Sequence, residues 1–309
     1  MTRMFKQITI IGFGLIGSSL ARAIIEKKLA ETIVCVDKDQ EVCNKVLAMG
    51  LADDATTDPA LGVEGSELVV LCTPVGAMQK VAQQMGRSLQ KGAIVSDVGS
   101  VKTSVIKALQ PLLPSHVHLI PAHPIAGTEF SGPEHGFAEL FINRWCILTP
   151  QAHTELKAIE KLTQLWEACG SNVEIMDPEH HDLVLGITSH LPHLIAYTIV
   201  GTATDLEDDI KSEVVKFSAS GFRDFTRIAA SDPTMWRDVF LNNKEAVLEM
   251  LQRFTEDLTA LQKAIRKGDG EYLYNHFSET RDIRRAIIDA GQAEYVYPED
   301  DDADTEAAA

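Results

Sequence analysis

The sequence predicts an α/β chain in two parts, a mostly parallel, doubly wound sheet domain first and an all-α domain after it. Short apolar, β-rich runs alternate with helical stretches through residue 177, and beyond Asp177 only helical patterning continues. A third sign is the glycine pattern Gly12-Phe13-Gly14-Leu15-Ile16-Gly17, set between the first strand and the first helix. For 309 residues, two domains are the natural expectation. The expected boundaries are 1–177 for a Rossmann-type sheet domain, 178–290 for a helical domain and 291–309 for an acidic tail.

The strand runs, in order, are QITII (7–11), TIVCVD (32–37), ELVVLCT (67–73), AIVSD (93–97), VHLIPA (117–122), WCILT (145–149) and VEIMD (173–177). Their near-continuous apolar character suits strands covered on both faces. Asp177-Pro178 then offers an N-cap followed by proline at the first helical position, and Ser231-Asp232-Pro233 offers a similar start. Within the helical stretch Glu245 to Lys267, the apolar residues Val247, Leu251, Phe254, Leu258, Leu261 and Ile265 step by 4, 3, 4, 3 and 4. That spacing marks one apolar seam, packed within the chain or across a homodimer, the second being preferred. The terminal run Pro298 to Glu306 is acidic and reads as a disordered, solvated tail with no catalytic role.

Composition narrows the partners. A formal net charge of −17 disfavours nucleic acid and anionic membranes, which both demand basic surface. No apolar run in the sequence approaches the length of a bilayer span. The first strand run starts at Gln7, which leaves no room for a cleavable leader. Cys35, Cys43, Cys72, Cys146 and Cys169 are odd in number and lack paired spacing, as expected of a reducing cytoplasm.

The glycine pattern has its full context of strand, turn and helix. The first glycine permits the tight turn, the second lets a pyrophosphate approach the backbone, and the third lets helix and strand pack closely. The diphosphate is then expected at the helix N-terminus, near Gly12, Gly14, Leu15, Ile16 and Gly17. Asp37 ends the second strand run, where a carboxylate can accept the ribose hydroxyls and repel the extra phosphate of NADP. NAD is therefore expected over NADP, with Lys38 softening the discrimination. Ligands of open α/β sheets bind beyond the strand carboxyl ends. Cys72-Thr73-Pro74, the Asp97 to Lys102 segment with Ser100, and the His123 to Glu129 segment all fall there.

Alcohol oxidation by NAD needs a base for the hydroxyl proton, and histidine suits the task. His116, His118 and His153 flank loops or strand starts, His276 sits in a polar helix, and His180 and His181 lie one turn into a helix; these are discounted. A metal site at His180, His181, His190 and His193 lacks HExxH spacing or an accompanying cysteine pair, so no metal is expected. His123, on a post-strand loop, and His193, after Pro192, stand out. Plainer roles remain open for each candidate. His123 could be a turn residue, Arg227 a surface ion-pair residue and His193 a core histidine beside a proline kink. Ser100 could cap a helix from Val101 to Leu109, and Trp236 could be core.

GFGLIGSSLA (12–21), DVGSVK (97–102), HPIAGTE (123–129), SHLPH (189–193), GFRDFTRIA (221–229) and DPTMWRD (232–238) occur in order through both halves. On these motifs the chain resembles the prephenate/arogenate (cyclohexadienyl) dehydrogenases of tyrosine biosynthesis, to about residue 290. The resemblance implies oxidative decarboxylation of prephenate to 4-hydroxyphenylpyruvate, of arogenate to tyrosine, or of both. By motif position it implies that His123 is the catalytic histidine, that Ser100 orients hydroxyl and nicotinamide, and that His193 assists binding. It further implies that Arg227 anchors the ring carboxylate, and that Thr128, Glu129, Ser189 and Trp236 line or gate the pocket. Arg223 stands where some members carry lysine, keeping charge but not geometry. Neither the fused chorismate mutase nor the regulatory ACT module of some relatives is expected. Another two-domain hydroxyacid dehydrogenase or imine reductase would share the glycine loop but not HPIAGTE with GFRDFTR. A non-catalytic NAD sensor would bind NAD without turnover.

Overall fold

A computed structural model describes residues 3–128, 130–205 and 220–289. By its internal contacts the chain divides into two compact units, Met1–Met250 and Leu251–Ala309. The expected acidic tail, and Glu129, lie outside the described residues.

The first unit is built on a six-stranded, all-parallel sheet in the order β3-β2-β1-β4-β5-β6. Its strands are β1 (Phe5–Ile11), β2 (Ala30–Val36), β3 (Asp54–Thr56), β4 (Leu68–Leu71), β5 (Ile94–Asp97) and β6 (His118–Leu119). Helices α1 (Leu15–Lys27), α2 (Gln40–Ala48), α3 (Pro59–Gly62), α4 (Val75–Met85) and α5 (Thr103–Leu109) provide the crossovers. Strand order reverses between β1 and β4, the switch point outside which dinucleotides bind. β3 has no counterpart among the expected runs, because a three-residue DAT strand carries no apolar pattern.

A second sheet holds β7 (Ala122–Pro124), β8 (Trp145–Leu148) and β9 (Asn172–Ile175), with α6 (Leu156–Ala168) between the last two. β7 runs antiparallel to β8, which pairs parallel with β9. The run VHLIPA is therefore two strands in two sheets rather than one. Pro121 has no N–H to donate, so the ladder breaks there, while its carbonyl accepts from Thr149 N at 2.9 Å. The break turns His123 out of the main sheet and into register with Ile147.

Apolar cores lie on both faces of the main sheet, as its strand composition requires. One gathers Ile8, Ile10, Leu20 and Ile24 with Leu162 and Trp166 of α6. The other gathers Val69, Leu71, Met78 and Val105, and it also takes in Trp236 and Val239. Those last two come from α10, so the helical region closes the second core.

That region comprises α7 (Pro178–Leu185), a π-turn (Gly186–His190), α8 (Leu191–Thr204), α9 (Ser220–Thr226), α10 (Pro233–Asn242), α11 (Lys244–Lys267) and α12 (Gly270–Ile287). Both expected caps form. Asp177 accepts from Glu179 N and His180 N, Asp232 accepts from Met235 N, and each precedes a proline. Helix runs unbroken from Pro178 to Thr204, 27 residues with a mean hydropathy of 1.5 in its most apolar stretch. By length and composition alone it could cross a bilayer, contrary to the sequence expectation. The π-turn ends just before Pro192, so the helix carries the proline without a break. Its polar residues His181, Asp182 and His190 are buried and hydrogen-bonded inside the first unit.

Candidate active site

The nucleotide end is set by backbone sterics. Gly12 has φ +96°, and a Cβ there would meet Cys72 O at 2.8 Å. A Cβ on Gly17 would collide with Gly12 O, so this glycine is fixed by the close packing of α1 on the turn. Gly14, in contrast, has nothing within 4 Å of an added Cβ. It is the N-cap of α1 in extended conformation with no side-chain cap, which leaves the first N–H groups of the helix without a cap partner among the described residues. Leu15 is buried and Ile16 half-buried behind them. Asp37 is partly buried at the end of β2; its Oδ2 accepts from Phe13 N at 3.0 Å and its Oδ1 from Asp39 N at 3.1 Å. The open cradle at Gly14, the uncapped helix and the oriented carboxylate fit a dinucleotide. Thr73 keeps a buried Oγ1 with no hydrogen-bond partner, and Pro74 starts α4. Asp238 of α10 accepts from Gly76 N at 3.0 Å and so ties α4 to the helical region.

The chemistry centres on a buried relay. His123 Nδ1 lies 2.9 Å from His181 Nε2, and His181 Nδ1 lies 2.9 Å from Asp182 Oδ1. The carboxylate can only accept, so His181 carries its proton on Nδ1 and presents Nε2 as an acceptor. His123 must then donate from Nδ1, which leaves the lone pair of its Nε2 free to take a proton. Burial would raise the Asp182 carboxyl, but the bonds from His181, Lys102 N–H and Thr103 N–H outweigh it and hold the group below the usual range. Burial pushes His123 well below 6.5, and the charges of His181, Lys102 and His190 add to the effect. A neutral His123 is what a proton acceptor requires.

Asp182 has a second task. Its Oδ1 accepts from Lys102 N at 2.7 Å and its Oδ2 from Thr103 N at 2.9 Å, capping α5 from another helix. Ser100 therefore does not cap that helix: α5 begins at Thr103, with Lys102 in the N-cap position and no side-chain cap of its own. The Lys102 side chain is fully buried, and its Nζ donates to Asp97 Oδ2 at 2.5 Å and to Ala122 O at 2.6 Å. This clamps the end of β5 to β7 one residue before His123. Burial raises the Asp97 carboxyl and lowers the Lys102 ammonium, and each charge opposes the other's shift.

His193 sits on α8 and stacks on Trp236, with ring centroids 3.6 Å apart. Trp236 is buried core, as its plainer reading expected. His193 Nδ1 donates to Ser189 O at 2.9 Å, leaving Nε2 as an acceptor. Burial lowers the His193 pKa, the Ser189 carbonyl opposes this, and the Arg227 charge lowers it further. Arg227, in the turn after α9, thus acts electrostatically on His193. Ser189 serves through its main chain, and Ser100 is half-buried on the loop between Asp97 and α5. Thr128 Oγ1 accepts from Phe130 N at 3.3 Å within its own loop. Arg223 is exposed on α9, and no hydrogen bond joins it to the relay.

His181 and Asp182, which complete the relay, were not singled out by sequence reasoning. The pair lies 58 residues from His123, and within the polar run Glu179-His180-His181-Asp182 nothing local set it apart. His190 and Asn243 were likewise missed as partners: Asn243 Nδ2 lies 3.0 Å from His190 Nδ1 and donates to Asp182 O at 2.7 Å.

A buried neutral imidazole with one free ring nitrogen, beside a sheet with an open dinucleotide cradle, fits the class of protein, an NAD-dependent dehydrogenase. Residues 20–175 match the family described as prephenate dehydrogenase, nucleotide-binding domain, and residues 177–279 match prephenate dehydrogenase, dimerization domain. The chain belongs to the prephenate dehydrogenase family. It is 46% identical over 284 residues to a cyclohexadienyl dehydrogenase of Zymomonas mobilis, covering 92% of this chain and 97% of that one. It is 33% identical over 288 residues to a prephenate dehydrogenase of Bacillus subtilis, covering 93% and 77%. Its fold matches a crystal structure of prephenate dehydrogenase from A. aeolicus in complex with hydroxyphenyl propionate and NAD+. The TM-score is 0.85 at 34% identity, covering 91% of this chain and 98% of that one.

Proposed function

We propose that the protein oxidatively decarboxylates prephenate to 4-hydroxyphenylpyruvate, arogenate to tyrosine, or both, with His123 as the base. The observation that carries the reading is the Asp182–His181–His123 relay, which leaves His123 Nε2 as a proton acceptor. When bound, NAD takes up the hydride released from the ring carbon that bears the hydroxyl. His123 Nε2 accepts the hydroxyl proton, and the imidazolium so formed is stabilised through His181 by the Asp182 carboxylate. The bond to the ring carboxylate breaks, CO2 leaves, and its electron pair completes the aromatic ring. His123 returns its proton to the phenolate oxygen, so the reaction releases no net proton. Arg227 holds the ring carboxylate with a bidentate guanidinium, and His193, kept neutral, accepts a substrate hydrogen bond. Ser100 orients the hydroxyl, and Thr128, Ser189, Arg223 and Trp236 complete the wall.

The test is NADH formation with prephenate and with arogenate, using the intact enzyme and Arg227→Ala. Wild type is expected to turn over at least one of them. The variant is expected to raise KM by roughly ten- to a hundredfold, the weight of a charge-assisted pair of about 1.5–3 kcal/mol. No turnover of either substrate would reject the reaction, and an unchanged KM would remove the Arg227 anchor.

We further propose a cytoplasmic homodimer, divided as 1–177, 178–290 and 291–309. The seam supports the dimer, since Leu258 is 52% and Ile265 66% exposed within one chain, as is Phe277 of α12 at 55%. Leu258→Asp is expected to shift the mass measured by light scattering from dimer to monomer. A monomeric wild type would reject the dimer. The free cysteines support a reducing compartment.

A further inference from the structure

Asn243, at the junction of α10 and α11, is almost fully buried and sits between the two histidine clusters. Its amide nitrogen has two protons and meets two acceptors, Asp182 O at 2.7 Å and His190 Nδ1 at 3.0 Å. The reversed amide would set Oδ1 against the Asp182 carbonyl, two acceptors face to face, so the orientation is fixed by chemistry. His190 Nδ1 therefore accepts, and the single proton of the neutral ring belongs on Nε2. On one side of Asn243, Asp182 holds His181, and through it His123. On the other, the fully buried His190 ring meets Trp236 edge-on at 6.1 Å, and Trp236 stacks on His193.

We propose that Asn243 is a positioning residue that fixes which nitrogen of His190 carries the proton and joins the Asp182–His181–His123 relay to the His190–Trp236–His193 stack. The inference rests on the functional reading above for its kinetic consequence, but not for its structural one. The groups facing His190 agree with a neutral ring. Burial lowers its pKa to about 4; Asp182 opposes this, His181 and His193 add to it, and the Ser100 main chain opposes it. The packed face of α10 adds Trp236, which is uncharged. One buried amide thus sets the protonation geometry of the base side and the packing of the binding side.

The experiment is nitrogen NMR of histidine-labelled, full-length enzyme with NAD, with His190→Gln used to assign the His190 signals. Wild type is expected to show Nδ1 unprotonated and Nε2 protonated near neutral pH. Asn243→Asp places an acceptor opposite Nδ1 and is expected to move a proton there, whereas Asn243→Ala gives a tautomer mixture. In both variants kcat is expected to fall roughly ten- to a hundredfold, with KM for NAD held within about twofold. An unchanged His190 tautomer in Asn243→Ala, or a lower melting temperature with kcat preserved, would overturn the proposal. If the tautomer responds but wild type turns over neither prephenate nor arogenate, the reaction assignment fails and the Asn243 assignment stands.

Discussion

His123→Asn is expected to keep NAD affinity and lose roughly two to four orders of magnitude in kcat, the usual weight of a positioned general base. The asparagine amide can still donate to His181 Nε2, so the relay and the break at Pro121 survive. What disappears is the lone pair that takes the hydroxyl proton. The pH profile gives an independent check. A base must be neutral to work, and the pKa of His123 is depressed below 6.5 by its burial first and by neighbouring positive charge second. Activity should therefore hold as pH falls through 6.5 and be lost only at the lower, depressed value. A wild-type profile in which kcat/KM halves near or above 6.5, or a variant with near-normal turnover, would show that His123 is not the base.

Gly17→Ala and Gly14→Ala form the second test, because the two glycines are needed for different reasons. At position 17 the new methyl collides with Gly12 O, and Gly12 itself sits at φ +96° in a turn packed so closely that a Cβ there would meet Cys72 O at 2.8 Å. The turn must open, at a cost of about 1–3 kcal/mol for forced overpacking, and NAD affinity should fall roughly five- to a hundredfold with it. At position 14 an added Cβ meets nothing within 4 Å among the described residues beyond its own chain neighbours, so folding stability should be unchanged. If a diphosphate approaches this backbone, Gly14→Ala nevertheless weakens NAD binding. Denaturant midpoints and NAD titrations separate the two cases. Unaltered NAD affinity in Gly14→Ala would remove the diphosphate from this turn.

Local pattern made much of this molecule legible. The apolar runs of β1, β2, β4 and β5, the glycine turn and the caps at Asp177 and Asp232 are decided by residues within a few positions of one another. Features that depend on distant pairing were not legible. β3 is a strand only because Val34, Cys35 and Val36 offer it a ladder. The run around Pro121 splits because a second sheet stands ready to receive His123. The site shows the same division. His123 and His193 stood out through their own neighbours, whereas His181 was set aside as a residue one turn into a helix. Its role comes from Asp182 beside it and from His123 arriving on another element. The cap that was left open as a plainer role for Ser100 is supplied by Asp182 from another helix. A carboxylate on α7 can satisfy the first N–H groups of α5 only after the chain has folded.

The π-turn at Gly186–His190 makes chain length a determinant of how the histidines on either side of it face. Each helical residue advances the azimuth by about 100°, and the Leu191 N–H reaches back five residues to Gly186 O. One surplus residue thus sits between His181, which meets His123, and His193, which meets Trp236. Homologues that lost it would swing every side chain after the turn by a quarter-circle or more while conserving each amino acid. Sequence identity at the histidines is therefore an incomplete guide to shared activity unless the spacing between them is kept as well.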